Sequence, residues 1–61
     1  MTQREMQDIP VGTIVYNVDY PLKLYTFVGI NPEDDNMMIT QVRDNKLERW
    51  NSIALAHWRT K

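Results

Sequence analysis

Short runs rich in apolar residues recur along this chain, and the first of them alternates with a period of two. Short polar stretches, or stretches bearing Gly or Pro, separate the runs. Thr13-Ile14-Val15-Tyr16-Asn17-Val18-Asp19 places Ile14, Tyr16 and Val18 on one face, and its β-branched and aromatic content predicts a strand. Pro10-Val11-Gly12 before it is a turn signal, and Asp19-Tyr20-Pro21 ends it. Leu24-Tyr25-Thr26-Phe27-Val28-Gly29-Ile30 predicts a second strand, apolar on both faces, with Gly29 marking a bulge or a close backbone approach. Asn31-Pro32-Glu33-Asp34-Asp35-Asn36 is a loop of turn formers, and Met37 to Arg43 is a third strand. Asp44-Asn45 fits a two-residue hairpin turn, because both residues tolerate positive φ. That turn sets Val42 against Leu47, Gln41 against Glu48 and Ile39 against Trp50, and makes Lys46 to Trp50 a fourth strand.

The two ends of the chain follow other rules. Thr2-Gln3-Arg4-Glu5 reads as a capping box, with Met1 and Met6 placed for a hydrophobic staple, so a helical turn or two is expected over residues 2–8. Ile9 precedes Pro10 and is pushed to an extended conformation. At the other end, Leu47, Trp50, Ala54 and Trp58 recur at helical spacing, which allows an amphipathic helix over residues 46–58. The competing reading puts a turn at Asn51-Ser52-Ile53 and a last strand from Ala54 to Arg59. Adjacent Asn and Ser compete with helical backbone hydrogen bonds, which favours the break. The expected fold is mainly β, with five short strands after a short N-terminal helical turn. The alternative is α+β, a three-stranded antiparallel sheet with a C-terminal helix.

This order of elements resembles the SH3-like small β-barrel. The residues that carry it are Gly12 to Val18, Leu24 to Ile30, Met37 to Arg43, Lys46 to Trp50 and Asn51-Ser52-Ile53-Ala54-Leu55. The resemblance is to a pattern and implies a small five-stranded barrel. Val15-Tyr16-Asn17-Val18-Asp19-Tyr20 echoes only loosely the Ala-Leu-Tyr-Asp-Tyr motif of peptide-binding SH3 domains, and Lys23 stands in the loop where those domains are acidic. These departures argue against recognition of proline-rich peptides. The style is closer to accessory and phage-borne small barrels of bacteria. Fold alone does not fix function, because such barrels host many unrelated roles.

Sixty-one residues make one domain. A core of this size supplies only about 3–5 kcal/mol of net stability without a staple. There is no cysteine and only one histidine, so neither a disulfide nor a tetrahedral zinc shell is expected. The absence of cysteine, of an N-terminal signal pattern and of a long apolar run makes the cytoplasm the expected compartment, with no membrane partner. Net charge is −1 with interspersed signs. That counts against a dedicated nucleic-acid binder, which carries a basic excess.

Candidate chemistry is sparse. The acids of Glu33-Asp34-Asp35-Asn36 are adjacent rather than alternating, and no glycine follows them, so a solvated loop is expected there rather than a calcium site. His57 has no second catalytic group beside it in sequence, and no nucleophile motif surrounds Ser52. No catalysis and no cofactor are expected. The aromatic residues are the informative ones, since a barrel this small cannot bury them all. Tyr20, Tyr25, Arg43, Arg49, Trp50 and Trp58 are the candidate partner-binding residues, with Arg49, Trp50 and Arg43 forming an Arg-plus-Trp patch across the hairpin. The expected role is a non-catalytic module that binds and modulates a larger protein. Two alternatives remain. One is a nucleic-acid-binding barrel with Lys23, Lys46, Arg59 and Lys61 on phosphates. The other is a homodimer that adds buried area to a small core.

Overall fold

A computed structural model describes residues 1–50 and 52–61, without the side chains of residues 52–54. Thr2 caps a short helix α1, Gln3–Asp8. Its hydroxyl accepts from the Glu5 amide at 3.1 Å, and the Glu5 carboxylate accepts from the Thr2 amide at 3.3 Å. The capping box read from the sequence is present. A six-residue helix is too short to stand alone, and it is held by Met6, which is fully buried.

Five strands follow: β1 Ile14–Asn17, β2 Leu24–Ile30, β3 Met37–Gln41, β4 Leu47–Trp50 and β5 Trp58–Thr60. They form one antiparallel sheet in the order β4-β3-β2-β1-β5. The expected barrel is not closed, since β4 and β5 are the two free edges. Alternation sorts the side chains onto two faces. Val15, Asn17, Tyr25, Phe27, Met37, Ile39 and Trp58 point to the buried side, where Met6 and Leu55 complete the core. Ile14, Tyr16, Leu24, Thr26, Met38 and Thr40 lie on the outer side, half-buried at most.

The alternative fold falls, and two expectations change. Residues 46–58 do not form a helix: β4 and β5 lie at the two ends of this stretch, with a 3₁₀ helix, Ser52–His57, between them. Asn51, the first residue of the expected turn, lies outside the described residues. The last strand starts at Trp58 rather than Ala54, because the 3₁₀ segment continues to His57 and carries Leu55 into the core. Finally, the β3–β4 hairpin has a four-residue loop, Val42-Arg43-Asp44-Asn45, in place of a two-residue turn. Gln41 N–H donates to Lys46 O, and Met37 pairs with Trp50, Ile39 with Glu48 and Thr40 with Leu47. Asn45 takes positive φ (56°), as its type allows, and Asp44 Oδ1 accepts from the Lys46 amide.

The Gly29 bulge is where the sequence placed it. The β2–β3 register shifts between Phe27 and Gly29, and Gly29 has φ 146°, a backbone state that side chains disfavour. No helix among the described residues is long and apolar enough to cross a membrane.

A candidate aromatic interaction pocket

The sheet curls so that its two free edges meet through side chains. Trp50 on β4 and Trp58 on β5 contact edge-on, with ring centroids 5.3 Å apart, and Tyr25 on β2 meets Trp58 in the same way at 5.2 Å. Edge-to-face contact suits the ring quadrupoles, whose positive rim meets a negative face. Trp58 is the floor of this cluster, with 0% of its surface exposed, and Trp50 is half-buried at its wall.

The turn after β1 brings a third type of element to the cluster. Asn17 Oδ1 accepts from the Asp19 amide at 2.8 Å, and Tyr20 N–H donates to Asn17 O at 3.0 Å. This side-chain-stabilised turn presents Tyr20, which is 71% exposed, at the mouth of a concavity of about 210 Å³. Asn17, Tyr25, Trp50 and Trp58 line it, with Lys23 and Glu48 at its rim. Lys23 Nζ stands 5.7 Å above the Tyr25 ring. A hydrogen bond with the Tyr25 side chain, followed by the charge of the same group, holds the Lys23 ammonium above the ordinary lysine range. Glu48 is fixed by Gln41, whose Nε2 donates to Glu48 Oε2 at 2.6 Å.

Two polar atoms in this wall are unsatisfied. The indole Nε1 atoms of Trp50 and Trp58 are both buried and find no acceptor among the described residues. A hidden donor without a partner costs about 1–3 kcal/mol.

The chain matches no family model, no curated protein and no solved structure.

Four of the six residues singled out in the sequence, Tyr20, Tyr25, Trp50 and Trp58, come together here. The two arginines do not join them. Arg49 follows Glu48 and precedes Trp50 on a strand, so its side chain emerges on the outer face, opposite Met38. Arg43 is exposed in the hairpin loop and lines a different concavity. The Arg-plus-Trp patch is therefore not formed. Asn17 and Glu48 are pocket residues that sequence reasoning missed. For Glu48 the signal was available, since it sits two residues before Trp50 and must share its face.

Other chemistry is dispersed. His57 Nδ1 lies 3.7 Å from Asp19 Oδ2, but both side chains are more than half exposed and line none of the concavities described here. The acidic loop folds on itself: Asn31 Oδ1 accepts from the Glu33 amide and Asp34 Oδ1 from the Asn36 amide. Among the described residues no three His, Cys, Asp or Glu side chains gather as metal ligands do.

Proposed function

We propose that this protein is a non-catalytic interaction module that binds a larger protein, and that the pocket of Tyr20, Trp50 and Trp58 grips a segment of that partner. The observation that carries the reading is the pair of buried indole N–H groups, without an acceptor among the described residues, in an aromatic concavity. A partner that delivers a carbonyl oxygen there, with a small rotation of an indole, removes a cost that the free fold leaves standing. Aromatic side chains at the centre of a concave patch are also the usual anchors of protein interfaces.

The strand order supports a finer reading of the fold as SH3-like, with a seam bridged by the Trp50–Trp58 contact instead of backbone pairing. The notion of a phage or bacterial accessory protein acting on a host protein in the cytoplasm belongs to the same proposal.

The test is affinity capture from bacterial lysate on a C-terminally tagged chain, with and without nuclease, beside Tyr20→Ser and Arg49→Ala. Tyr20 is too exposed to hold the core, so its substitution leaves the fold intact. One protein retained near stoichiometrically in both arms, lost with Tyr20→Ser and kept with Arg49→Ala, is the expected result. Capture that disappears with nuclease would move the case to nucleic acid. Capture indifferent to Tyr20→Ser would remove the pocket from it.

A further inference from the structure

The outer face of the sheet carries a second, chemically different concavity. The β1–β2 register sets Tyr16 opposite Leu24, and the ladder continues through Val42, whose N–H donates to Leu24 O at 3.1 Å. Tyr16, Leu24 and Val42 therefore form one row across three neighbouring chain segments. Leu22, 96% exposed, stands over the row from the turn that precedes β2. Together they floor a trough of two adjoining parts that share Leu22 and Leu24, the larger being about 710 Å³. That is within the range of ligand-binding clefts.

The charges around this trough are one-sided. Lys61 closes one end, Arg43 the other, and Lys23 lies along it, with Asp44 as the one acid in the lining. Neither Arg43 nor Lys61 has a carboxylate within salt-bridge distance among the described residues. The acids Glu33, Asp34 and Asp35 sit in the loop beyond the far end of β2, roughly 20 Å up the strand at the usual rise per residue. Asp44 and Glu48 act on Lys23, whose ammonium is held over the Tyr25 ring, so the basic excess of the trough rests on Arg43 and Lys61. A binding site responds to local potential, and exposed charges farther away than about 10 Å are largely screened.

We propose that this trough docks an extended acidic peptide of another protein, with aliphatic side chains on Leu22, Leu24 and Val42 and carboxylates at Arg43 and Lys61. The trough opens on the outer face and the aromatic pocket on the buried side, and of the residues lining them only Lys23 is shared. Peptide is favoured over single-stranded nucleic acid because base stacking needs aromatic platforms, and four of the five apolar side chains here, Pro21, Leu22, Leu24 and Val42, are aliphatic.

The experiment is a selection of phage-displayed random linear peptides on the wild-type chain. The selected peptide is then measured by fluorescence anisotropy on the wild type, Arg43→Glu with Lys61→Glu, Leu22→Ser and Tyr20→Ser, beside a poly-thymidine oligonucleotide. All four positions are exposed, and circular dichroism checks that each variant is folded. Enrichment of Asp or Glu interleaved with Leu, Ile or Val is expected. So is binding weakened by at least about tenfold in the charge-reversed and Leu22→Ser variants but unchanged in Tyr20→Ser. A consensus without acids would overturn the proposal. So would binding lost only in Tyr20→Ser, which would leave the aromatic pocket as the sole site. Oligonucleotide binding removed by the charge reversal, with no peptide consensus, would overturn it in favour of nucleic acid. Concentration-dependent dimerisation removed by Leu22→Ser would assign the trough to a second copy.

Discussion

Trp58 joins the core to the pocket, and its two substitutions separate packing from polarity. Trp58→Ala removes the floor on which Tyr25 and Trp50 rest, at a cost of about 3–5 kcal/mol. The whole domain has about that much stability, so the Ala variant is expected to be largely unfolded in buffer. Trp58→Phe keeps an aromatic ring and deletes an N–H that has no acceptor among the described residues. Its net loss is expected below about 2 kcal/mol, because the relief of the buried donor offsets part of the lost packing. Urea unfolding followed by circular dichroism measures both. Equal losses would mean that the indole N–H is not a burden. The aromatic residues were legible as the informative ones from type alone. Their exposure was not, because the side that a strand residue faces depends on register. Arg49 shows the consequence: next to Trp50 in sequence, it projects from the opposite side of the sheet.

The hairpin shows which errors a sequence pattern can hide at the scale of an element. A one-residue slip would turn every side chain of β4 over and put Leu47 and Arg49 inside in place of Glu48 and Trp50. A two-residue slip keeps every face, so the pattern is equally content with Ile39 opposite Trp50 or opposite Glu48, and only the second occurs. What selects it is the loop. Asn45 takes the left-handed conformation at the fourth loop position, and its amide donates back to Gln41 O at 2.8 Å. Replacing Asn45 by Ala should cost about 1 kcal/mol, since alanine lacks the short polar side chain that lets asparagine tolerate that backbone state. Asn45→Gly should be neutral or slightly stabilising. Thermal unfolding of the two variants tests this, and a stabilising Ala would show that the loop conformation is not held. The helical spacing of Leu47, Trp50, Ala54 and Trp58, which carried the less favoured reading, does not mark one face. Leu47 is half exposed on the outer face, Trp50 is inside, and the true helical step is the short 3₁₀ segment that ends before Trp58. The capping box and the Gly29 bulge were legible because each depends only on residues close in sequence.

For the molecule as a whole, the two chain ends are tied together. The Met1 ammonium donates to Leu55 O at 2.9 Å and to Trp58 O at 2.7 Å, which draws the start of the chain onto the segment that closes the sheet. Desolvation, and then the nearby charge of Arg59, hold this amine below its ordinary range, although the two carbonyl contacts favour the charged form. The folded state therefore releases the proton before the unfolded chain does. Between the lowered value and the ordinary one, about 7.7–8.0, the unfolded chain binds more protons, so stability rises with pH through that window. Below it both states are charged and the folded one bears the penalty; above it both are neutral and the penalty is gone. Urea midpoints from mildly acidic to mildly alkaline pH should climb for the free amine. They should be flat over the same window once the terminus is acetylated, which also removes the charged donor. A midpoint that falls as the amine deprotonates would mean that the ammonium's bonds to Leu55 and Trp58 outweigh its desolvation. In that case the staple between the ends would depend on charge rather than on packing.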